Sequence, residues 1–374
     1  MSQSQETPQD TSQDSGQEAA PAAKVRVLLV AWFLRPERRW LGEFLPPERF
    51  ECSYVGLDER VDSTRMRTPG KKWWQLFRLA LKARRHLARH PQDLLVTAFP
   101  QVGFTVGLVN LLSFARLPHV VWYFNCGHEY QGPRKWLSRV AYRSVHRFIV
   151  YTMHERSVYA RVFALPESRF HFTHLTGPEL KAGEFRGARE RFGLAPRYIA
   201  ALGSSGRDYD TLFRAVEGLP VQLVVVAHPS ALPSGPVPPN IKVMTSIPQE
   251  DYLRVIAEAE LVAIPVNNRE TASGQMTLIQ AMSLGVPVVA TRCIGTEDYI
   301  RHGENGWFVQ MGDVEHWRRT LRSLLDDPEA RRRSATEALR FAQERLTDRA
   351  GAQVLADLAG ELSPLTDRGP GRPG

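Results

Sequence analysis

Short apolar runs alternate with amphipathic stretches along most of the chain, which is the pattern of a parallel sheet covered by helices. In the first half, this pattern predicts strands over residues 25–31, 50–56, 94–98, 119–124 and 148–151. It predicts helices between them, over residues 72–89, 102–114 and 133–145. We therefore expect a doubly wound α/β domain in this half of the chain.

A second series of the same kind begins at residue 198. It predicts strands over residues 198–202, 222–227, 241–244, 261–265, 287–291 and 306–308, and helices over 210–216, 249–257, 277–284, 314–326, 328–344 and 348–362. The predicted organisation is a disordered tail (1–23), an N-terminal domain (24–180), a link (181–197), a C-terminal domain with two closing helices (198–363) and a second tail (364–374). The two domains should face each other across a cleft, where ligands bind beyond the carboxyl ends of the strands.

The distribution of apolar residues and cysteines indicates which class of protein and which compartment to expect. The sequence contains no run of eighteen apolar residues, so we expect no membrane-spanning helix, and residues 1–23 lack the order of a signal peptide. Cys52, Cys126 and Cys293 lie far apart, without the spacing of a zinc site or a disulfide framework. These features predict a protein of the reducing cytoplasm.

The chain is basic, with a formal net charge of +8 and a pI near 9.6. Most of the excess lies before about residue 190. Nucleic acid, an anionic membrane surface or phosphorylated substrates would each account for it. Because the usual nucleic-acid recognition motifs are absent, we do not expect nucleic acid as a partner.

The predicted helix over residues 72–89 carries an apolar face and a basic face. Trp73, Leu76 and Phe77 begin the apolar face, whereas Arg78 and Lys82 lie largely opposite. One interpretation is a packed surface helix with a solvated basic face. The other is a helix that lies on an anionic bilayer with Trp74 at the headgroups, which would suit a lipid-linked acceptor.

The most informative segment, from Ala272 to Thr291, reads ASGQMTLIQAMSLGVPVVAT. Ser273 and Gly274 predict a loop, and Thr277 begins an apolar helix that ends at Gly285. A helix N-terminus of this kind presents free N–H groups and a positive dipole, which suit a diphosphate. A hydroxyl of Ser273 or Thr277 would add a donor, although either residue would also serve as an ordinary N-cap.

This segment closely resembles the family-4 retaining glycosyltransferases, which carry an EAMAxGxPVVAT-like turn. The resemblance continues through residues 294–309, IGTEDYIRHGENGWFV, and covers about residues 198–345. The first half resembles the family only in layout. The resemblance implies a GT-B fold of two Rossmann-like domains and transfer of a sugar from a nucleoside-diphosphate sugar, with retention of configuration. Because no metal-binding constellation is visible in the sequence, we expect this transfer to be metal-independent. The acceptor would be a glycan, a lipid-linked compound or a small molecule, as in polysaccharide or glycolipid synthesis.

The resemblance also implies a set of donor-binding residues. Gly203 and Arg207 match the positions that hold the diphosphate, although Arg207 as a solvated loop residue is the alternative. The base would lie at Thr245 and Ser246, and Gln280 matches the glutamate that binds the ribose. The loop and helix start contribute the rest: Ser273, Gly274, Gln275, Met276 and Thr277.

Catalytic groups are less clearly indicated. In the family a glutamate near the reacting sugar stands where this chain has Ala272, so we hypothesise that Glu270 fills that role. Family members often place a histidine in a loop near the donor sugar, which favours His128; Glu129, His154 and Glu155 are further candidates. No cofactor is expected.

Two questions about the predicted activity stay open. Asp208 and Asp210 have the spacing of a metal-binding pair, but we expect Asp210 to be the N-cap of the next helix, so no metal site is expected. Ala272 leaves open a sugar-nucleotide-binding module without turnover, and the fold leaves open a nucleotide-sugar epimerase.

Overall fold

A computed structural model describes residues 23–35, 37, 39–57, 69–112, 117–126, 132–269 and 271–363. These residues form two six-stranded sheets in which all the pairs of strands are parallel. Helices cover both faces of each sheet. The prediction of two doubly wound Rossmann-like domains is therefore confirmed.

The first sheet contains the strands of the N-terminal half. They are β1 Val25–Val30, β2 Phe50–Val55, β3 Leu94–Ala98, β4 His119–Trp122, β5 Arg147–Val150 and β6 Phe170–Phe172. The helices are α1 Pro69–Arg89, α2 Pro100–Leu112, α3 Gly132–Tyr142 and α4 Met153–Phe163. The spatial order β2-β1-β3-β4-β5-β6 changes direction between β1 and β3. A crevice for ligands is expected at such a point.

The second sheet has the order 3-2-1-4-5-6 that is typical of dinucleotide-binding domains. Its strands are β7 Tyr198–Leu202, β8 Gln222–Val226, β9 Ile241–Met244, β10 Leu261–Ile264, β11 Val288–Thr291 and β12 Trp307–Val309. The helices of this half are α5 Ala188–Phe192, α6 Tyr209–Val216, α7 Gln249–Ala257, α8 Gln275–Ser283, α9 Val314–Asp326, α10 Pro328–Arg345 and α11 Asp348–Leu362. The direction of the order β12-β11-β10-β7-β8-β9 changes between β7 and β10.

Burial on both faces explains why the strands read as continuous apolar runs. In β7, Tyr198, Ala200 and Leu202 pack in one buried cluster. The alternate residues Ile199 and Ala201 pack in another cluster on the opposite face. Because helices exclude water from both faces, no position of this strand needs to be polar.

The sequence analysis missed three short elements. Helix α4 and strand β6 follow β5, and α5 lies within the segment that we interpreted as a link. Thr152 is the N-cap of helix α4, and its hydroxyl accepts a hydrogen bond from the backbone N–H of Glu155. The order Thr-x-x-Glu is a signal for a helix start that could have revealed it.

The last helix, α11, packs its apolar face against the first sheet, although we assigned residues 198–363 to the C-terminal domain. Leu355 and Ala359 share a buried cluster with Val27 and Val96. Backbone hydrogen bonds from Gly177 to Leu346, 3.0 Å, and from Asp348 to Gly177, 2.8 Å, fix this return of the chain. The domain boundaries themselves stay a prediction.

Helix α1 packs on the first sheet through its apolar face. Leu76, Leu79, Ala80 and Ala83 are buried, and α2 is its main helical neighbour. The structure confirms a packed amphipathic helix and adds Leu79 to the face that we predicted. Among the helices of the described ranges, none has both the length and the apolar character that crossing a bilayer requires.

A buried histidine makes the stability of the first sheet sensitive to pH. His119 on β4 bonds to the Thr97 hydroxyl of β3 at 2.9 Å. Burial, and secondarily the charge of His146, lowers its pKa from 6.5 to about 3. Because the unfolded chain binds more protons between these two values, the free energy of unfolding should fall as the pH falls from about 6.5 towards 3.

We expect His119→Gln to make this dependence shallower, by up to one proton in the slope. Denaturant unfolding at a series of pH values measures the slope, and His154→Gln, at an exposed position, is the control. An unchanged slope in His119→Gln would show that His119 is not the source of this pH dependence.

Candidate functional site

A cavity of about 470 Å³ lies where the carboxyl ends of both sheets meet. On the side of the first sheet, its lining follows β3, β4 and β5: Phe99, Tyr123, Asn125 and Tyr151. On the side of the second sheet, it follows β7 and β10: Gly203, Ser204, Ser205, Arg207, Ala272, Ser273, Gly274, Gln275, Met276 and Thr277. Leu175 and Tyr252 complete the lining. The cavity therefore lies at the edge where parallel α/β sheets bind ligands.

Helix α8 points its N-terminus at this cavity. Gly274 is its N-cap, with a φ of 89° and no side-chain capping bond. The structure therefore contradicts an ordinary N-cap at Ser273 or Thr277. The first N–H groups of a helix have no intrahelical acceptor, so those at Gln275, Met276 and Thr277 can bind an anion.

Ser273 carries a buried hydroxyl in the wall of the cavity. The side chain is only 8% exposed, and its Oγ has no hydrogen-bond partner among the described residues. Gly295 presses against this loop, because a Cβ there would lie 2.3 Å from the carbonyl oxygen of Ser273. A buried hydroxyl without a partner is costly, so this loop carries a local energetic penalty.

Arg207 bridges the loop after β7 and the start of α8. Its guanidinium donates to the carbonyls of Leu202 at 3.1 Å and Ser205 at 2.9 Å, and to the Thr277 hydroxyl at 3.2 Å. These bonds contradict a freely solvated loop arginine. They use three of the five N–H donors of a guanidinium.

Gly203 permits this position of the arginine. Its φ is 102°, which disfavours other residues, and a Cβ would lie 2.5 Å from Nη2 of Arg207. Tyr209 donates its hydroxyl to the Gly203 carbonyl at 2.6 Å and so fixes the turn. The predicted pair of Gly203 and Arg207 is therefore one packed unit.

Gln275 joins the two halves of the molecule. Its buried side-chain amide donates to the Tyr151 carbonyl at 3.0 Å and to the Tyr299 hydroxyl at 3.1 Å. The Tyr299 hydroxyl in turn donates to the Tyr151 carbonyl at 3.0 Å and accepts from the backbone of Leu175 at 2.9 Å. We call these four residues the tyrosine junction. The amide of Gln275 therefore faces the first sheet, and only its backbone is placed for a donor.

The other predicted donor residues are less closely associated with the cavity. Met276 lines it and is 51% exposed. Thr245 and Ser246 are exposed and lie outside its lining, as does Gln280 on the next turn of α8. Their roles stay predictions.

The candidate catalytic residues divide into two groups. His128, Glu129 and Glu270 lie outside the described residues. Glu155 is buried in the first turn of α4, where it accepts hydrogen bonds from the Tyr151 backbone and the Tyr159 hydroxyl. Burial raises its pKa. Glu155 is therefore a structural acceptor, and His154 beside it lies outside the cavity lining.

Asp208, rather than Asp210, caps the helix after β7. The Asp208 carboxylate accepts from the backbone of Thr211 at 3.1 Å, whereas Asp210 is exposed and pairs with Arg214. Our expectation for Asp210 was wrong: the helix begins at Tyr209, so the N-cap is Asp208 and Asp210 lies in the first turn. Across the described ranges, no group of three His, Cys, Asp or Glu side chains could hold a metal ion.

Sequence reasoning missed the aromatic part of the lining. Phe99, Tyr123 and Tyr151 each follow directly after a strand of the first sheet. Tyr252 on α7 closes the opposite side and bonds to the Thr277 hydroxyl at 3.1 Å. The position after a predicted strand was a usable signal for Phe99 alone, because Tyr123 and Tyr151 fall inside the strands that we predicted over residues 119–124 and 148–151; Tyr252 is brought in only by the fold.

Comparison with known protein families finds a match for the C-terminal part of the chain. A family model described as "Glycosyl transferases group 1" matches residues 200–327. The D-inositol 3-phosphate glycosyltransferase of Mycobacterium sp. (strain KMS) is 33% identical over 41% of this chain and 39% of its own length. The lipopolysaccharide core biosynthesis glycosyltransferase LpsE of Rhizobium meliloti is 36% identical over 21% of this chain and 24% of its own length. The chain thus spans about a fifth to two fifths of the length of the curated relatives that it matches.

Solved structures extend the similarity of fold to both halves. Anabaena HepE in complex with UDP has a TM-score of 0.66 at 15% identity, over 91% of this chain and all of its own. Sucrose-phosphate synthase from Thermosynechococcus elongatus has a TM-score of 0.67 at 16% identity, over 91% of this chain and 99% of its own. The predicted GT-B fold is confirmed, and residues 200–327 match a glycosyltransferase family model, in agreement with the motif resemblance.

The tyrosine junction yields a prediction for stability. Tyr299→Phe removes the acceptor of the Leu175 N–H and of the Gln275 amide, so buried donors lose a partner. We expect a loss of about 1–3 kcal/mol in the free energy of unfolding. Tyr198→Phe is the matched control, because that buried hydroxyl makes one bond, to the Val255 carbonyl. An equal or smaller loss in Tyr299→Phe, measured by denaturant unfolding, would argue against the junction.

Proposed function

We propose that this protein is a glycosyltransferase that transfers a sugar from a nucleoside-diphosphate sugar to an acceptor hydroxyl, with retention of configuration. The main support is the convergence of the α8 N-terminus, the Ser273 hydroxyl and Arg207 on one cavity. This convergence lies within the segment that matches the glycosyltransferase family model. Retention is supported by the motif resemblance to the family-4 enzymes.

The diphosphate of the donor would lie at the start of α8. The N–H groups at Gln275 to Thr277 and the helix dipole favour its charge. The Ser273 hydroxyl would gain the partner that it lacks, and the two further N–H donors of Arg207 would bind phosphate oxygens. The complexes of HepE with UDP and with UDP-glucose support a ligand of this class.

In the reaction, the acceptor oxygen bonds to the anomeric carbon while the bond from that carbon to the diphosphate oxygen breaks. The nucleoside diphosphate leaves with the electron pair of that bond, and its departing oxygen takes up the proton that the acceptor hydroxyl loses. The charge that grows on the leaving group is what Arg207 and the helix N-terminus would stabilise. His128 and Glu270 stay our candidates for groups near the sugar, and we propose that no metal ion is required.

The test is release of nucleoside diphosphate from UDP-, GDP-, ADP- and dTDP-sugars, with and without EDTA. We expect release from one donor, and we expect that EDTA does not abolish it. Interconversion of the sugar without release would instead identify an epimerase. Tight binding without either reaction would identify a binding module, as the alanine at position 272 leaves open. Abolition of release by EDTA would refute metal independence.

The Gly203 turn gives a sharper prediction, which concerns the affinity for the donor. Gly203→Ala should displace Arg207 and weaken donor binding about tenfold or more, since charge-assisted hydrogen bonds are lost. Gly218→Ala is the matched control: Gly218 also has a positive φ, 75°, but a Cβ there meets nothing within 4 Å. Equal affinities of the two variants for the donor would show that Arg207 does not contribute to donor binding.

We further propose that α1 and α3 contact an anionic membrane surface on its cytoplasmic side. Trp74 and Trp136 are each 67% exposed, and both helices pack against α2. Lys71, Arg78 and Arg85 are exposed on α1 beside Trp74. Exposed tryptophan among cations is typical of proteins that lie at lipid headgroups.

Vesicle sedimentation tests this contact. We expect binding to vesicles that contain phosphatidylglycerol at low salt, weaker binding at high salt, and little binding to pure phosphatidylcholine. The double variant Trp74→Ala, Trp136→Ala should lose most of the binding while its nucleoside diphosphate release is unchanged. Equal sedimentation of the variant and the wild type would refute the proposed surface.

A further inference from the structure

A second cavity, of about 630 Å³, lies at the carboxyl ends of β1 and β2, at one edge of the first sheet. The segment after β1 contributes Leu34 and Arg35 to it, β2 contributes Cys52 and Tyr54, and α1 contributes Lys82. Its described lining shares no residue with that of the cavity at α8. Parallel α/β sheets bind ligands beyond the carboxyl ends of their strands, so a ligand is expected here. We call this space the basic cavity.

Two arginines of the lining lack a compensating partner. The guanidinium groups of Arg35 and Arg39 form no ion pair or hydrogen bond with any residue of the described ranges. Arg35 is half-buried, and a charge that loses part of its water is normally compensated by an opposite charge or by hydrogen bonds. Positions 36, 38 and 58–68, which adjoin the lining in sequence but lie outside the described residues, carry four arginines and three carboxylates. Their composition therefore does not reverse the sign of the charge.

The other titratable groups of the lining do not cancel the two arginines. Burial raises the pKa of Tyr54 to about 12 and the pKa of Cys52 to about 11, so both are uncharged at neutral pH. Glu37 is the one carboxylate of the described lining, and it is exposed and pairs with neither arginine. Lys82 adds a third cation, which donates to the Gly56 carbonyl at 3.2 Å.

Two further carboxylates act on the basic cavity from outside its lining. Glu43 affects the pKa of Tyr54 less than Arg39 does, and Glu51 has the smallest of the effects on the pKa of Cys52. Within the described lining, three cations thus face one carboxylate. This arrangement favours a negatively charged ligand.

The basic cavity and the cavity at α8 are neighbours along the same end of the first sheet. The segment after β1 separates them: Trp32 stacks on Phe99, with ring centroids 5.9 Å apart, and Phe99 lines the cavity at α8. Arg35, on the same segment, lines the basic cavity. The two cavities are two to three strand spacings apart, which corresponds to roughly 10–14 Å. A phosphorylated sugar or disaccharide spans such a distance.

We propose that the acceptor carries a phosphate monoester, which binds to Arg35 and Arg39 in the basic cavity while an acceptor hydroxyl lies beside the donor. This inference rests on the proposed transferase function and adds the chemical class of the acceptor to it. A phosphate monoester carries a charge of about −1.5 to −2 at neutral pH and has three acceptor oxygens. A guanidinium binds two such oxygens at once. A carboxylate, with one charge and two oxygens, matches two arginines less well.

The first test measures binding without turnover. Isothermal titration calorimetry with glucose 6-phosphate, and with glucose as the neutral control, measures the affinity for the phosphate. We expect Arg35→Gln and Arg39→Gln each to weaken binding about tenfold or more, because charge-assisted hydrogen bonds are lost. Arg89→Gln is the matched control, since it removes one positive charge from the same half at an exposed position outside both linings. Gly203→Ala, which perturbs the donor side, should leave this binding unchanged.

The second test asks whether the bound phosphate belongs to the acceptor. Glucose, galactose, mannose and fructose are each compared with their 6-phosphates as stimulators of nucleoside diphosphate release. We expect a phosphorylated sugar to stimulate release more than its neutral parent. Arg35→Gln should raise the acceptor KM about tenfold and leave the donor KM unchanged. Arg35→Lys should restore part of the loss, because it returns the charge without the planar fork.

The phosphate could come from a soluble sugar or from a lipid, and sedimentation with phosphatidic acid vesicles distinguishes these sources. Sedimentation that Arg35→Gln abolishes would support the basic cavity with a lipid as the source of the phosphate. Weaker binding of glucose 6-phosphate in Gly203→Ala, without a loss in either arginine variant, would place the phosphate at α8 and overturn the proposal. Absence of binding of both glucose 6-phosphate and phosphatidic acid would also overturn it.

Two outcomes concern the acceptor and the transferase function separately. Stimulation by neutral sugars that equals that by their phosphates, or phosphate binding without any stimulation of release, would overturn the assignment to the acceptor. Absence of donor binding and release would refute the transferase function itself, whereas phosphate binding that depends on Arg35 and Arg39 would still be measurable.

Discussion

The tyrosine junction is the constraint on which the cleft depends. The Tyr299 hydroxyl and the Gln275 amide both donate to the carbonyl of Tyr151 at the end of β5, and all three groups are buried. Gln275 is also the first residue of α8. This contact between the two halves therefore also fixes where the N-terminus of α8 points. A buried bond network of this kind stabilises one arrangement because any other would leave its donors without partners.

Two chemically different walls face each other across the cleft. The wall from the second sheet is made of backbone N–H groups, a buried hydroxyl and an arginine held by Gly203, which together suit a diphosphate. The wall from the first sheet is aromatic and held in strained turns. The two walls of the cavity therefore differ in charge, and the one from the second sheet is the wall that suits an anion.

Several elements were predictable because their causes are local. Strands such as β7 are apolar throughout, since helices cover both faces, and their boundaries were predicted to within about two residues. The loop at Ser273 and Gly274 and the helix that follows it were also predictable, because the signal for a loop that leads into a helix lies in adjacent residues. The three-residue strand β6 and the five-residue helix α5 carry too few positions to show a period.

By itself, the sequence determined the doubly wound α/β character of both halves, the loop that leads into α8, and the resemblance of the C-terminal half to glycosyltransferases. Only the tertiary structure decided that Gly274 rather than Ser273 caps α8, that Gln275 faces Tyr151, and that α11 returns to the first sheet. Gln275 and Tyr151 lie 124 positions apart. Their pairing depends on how two complete sheets pack, and a local pattern of apolar and polar residues carries no information about a contact over that distance.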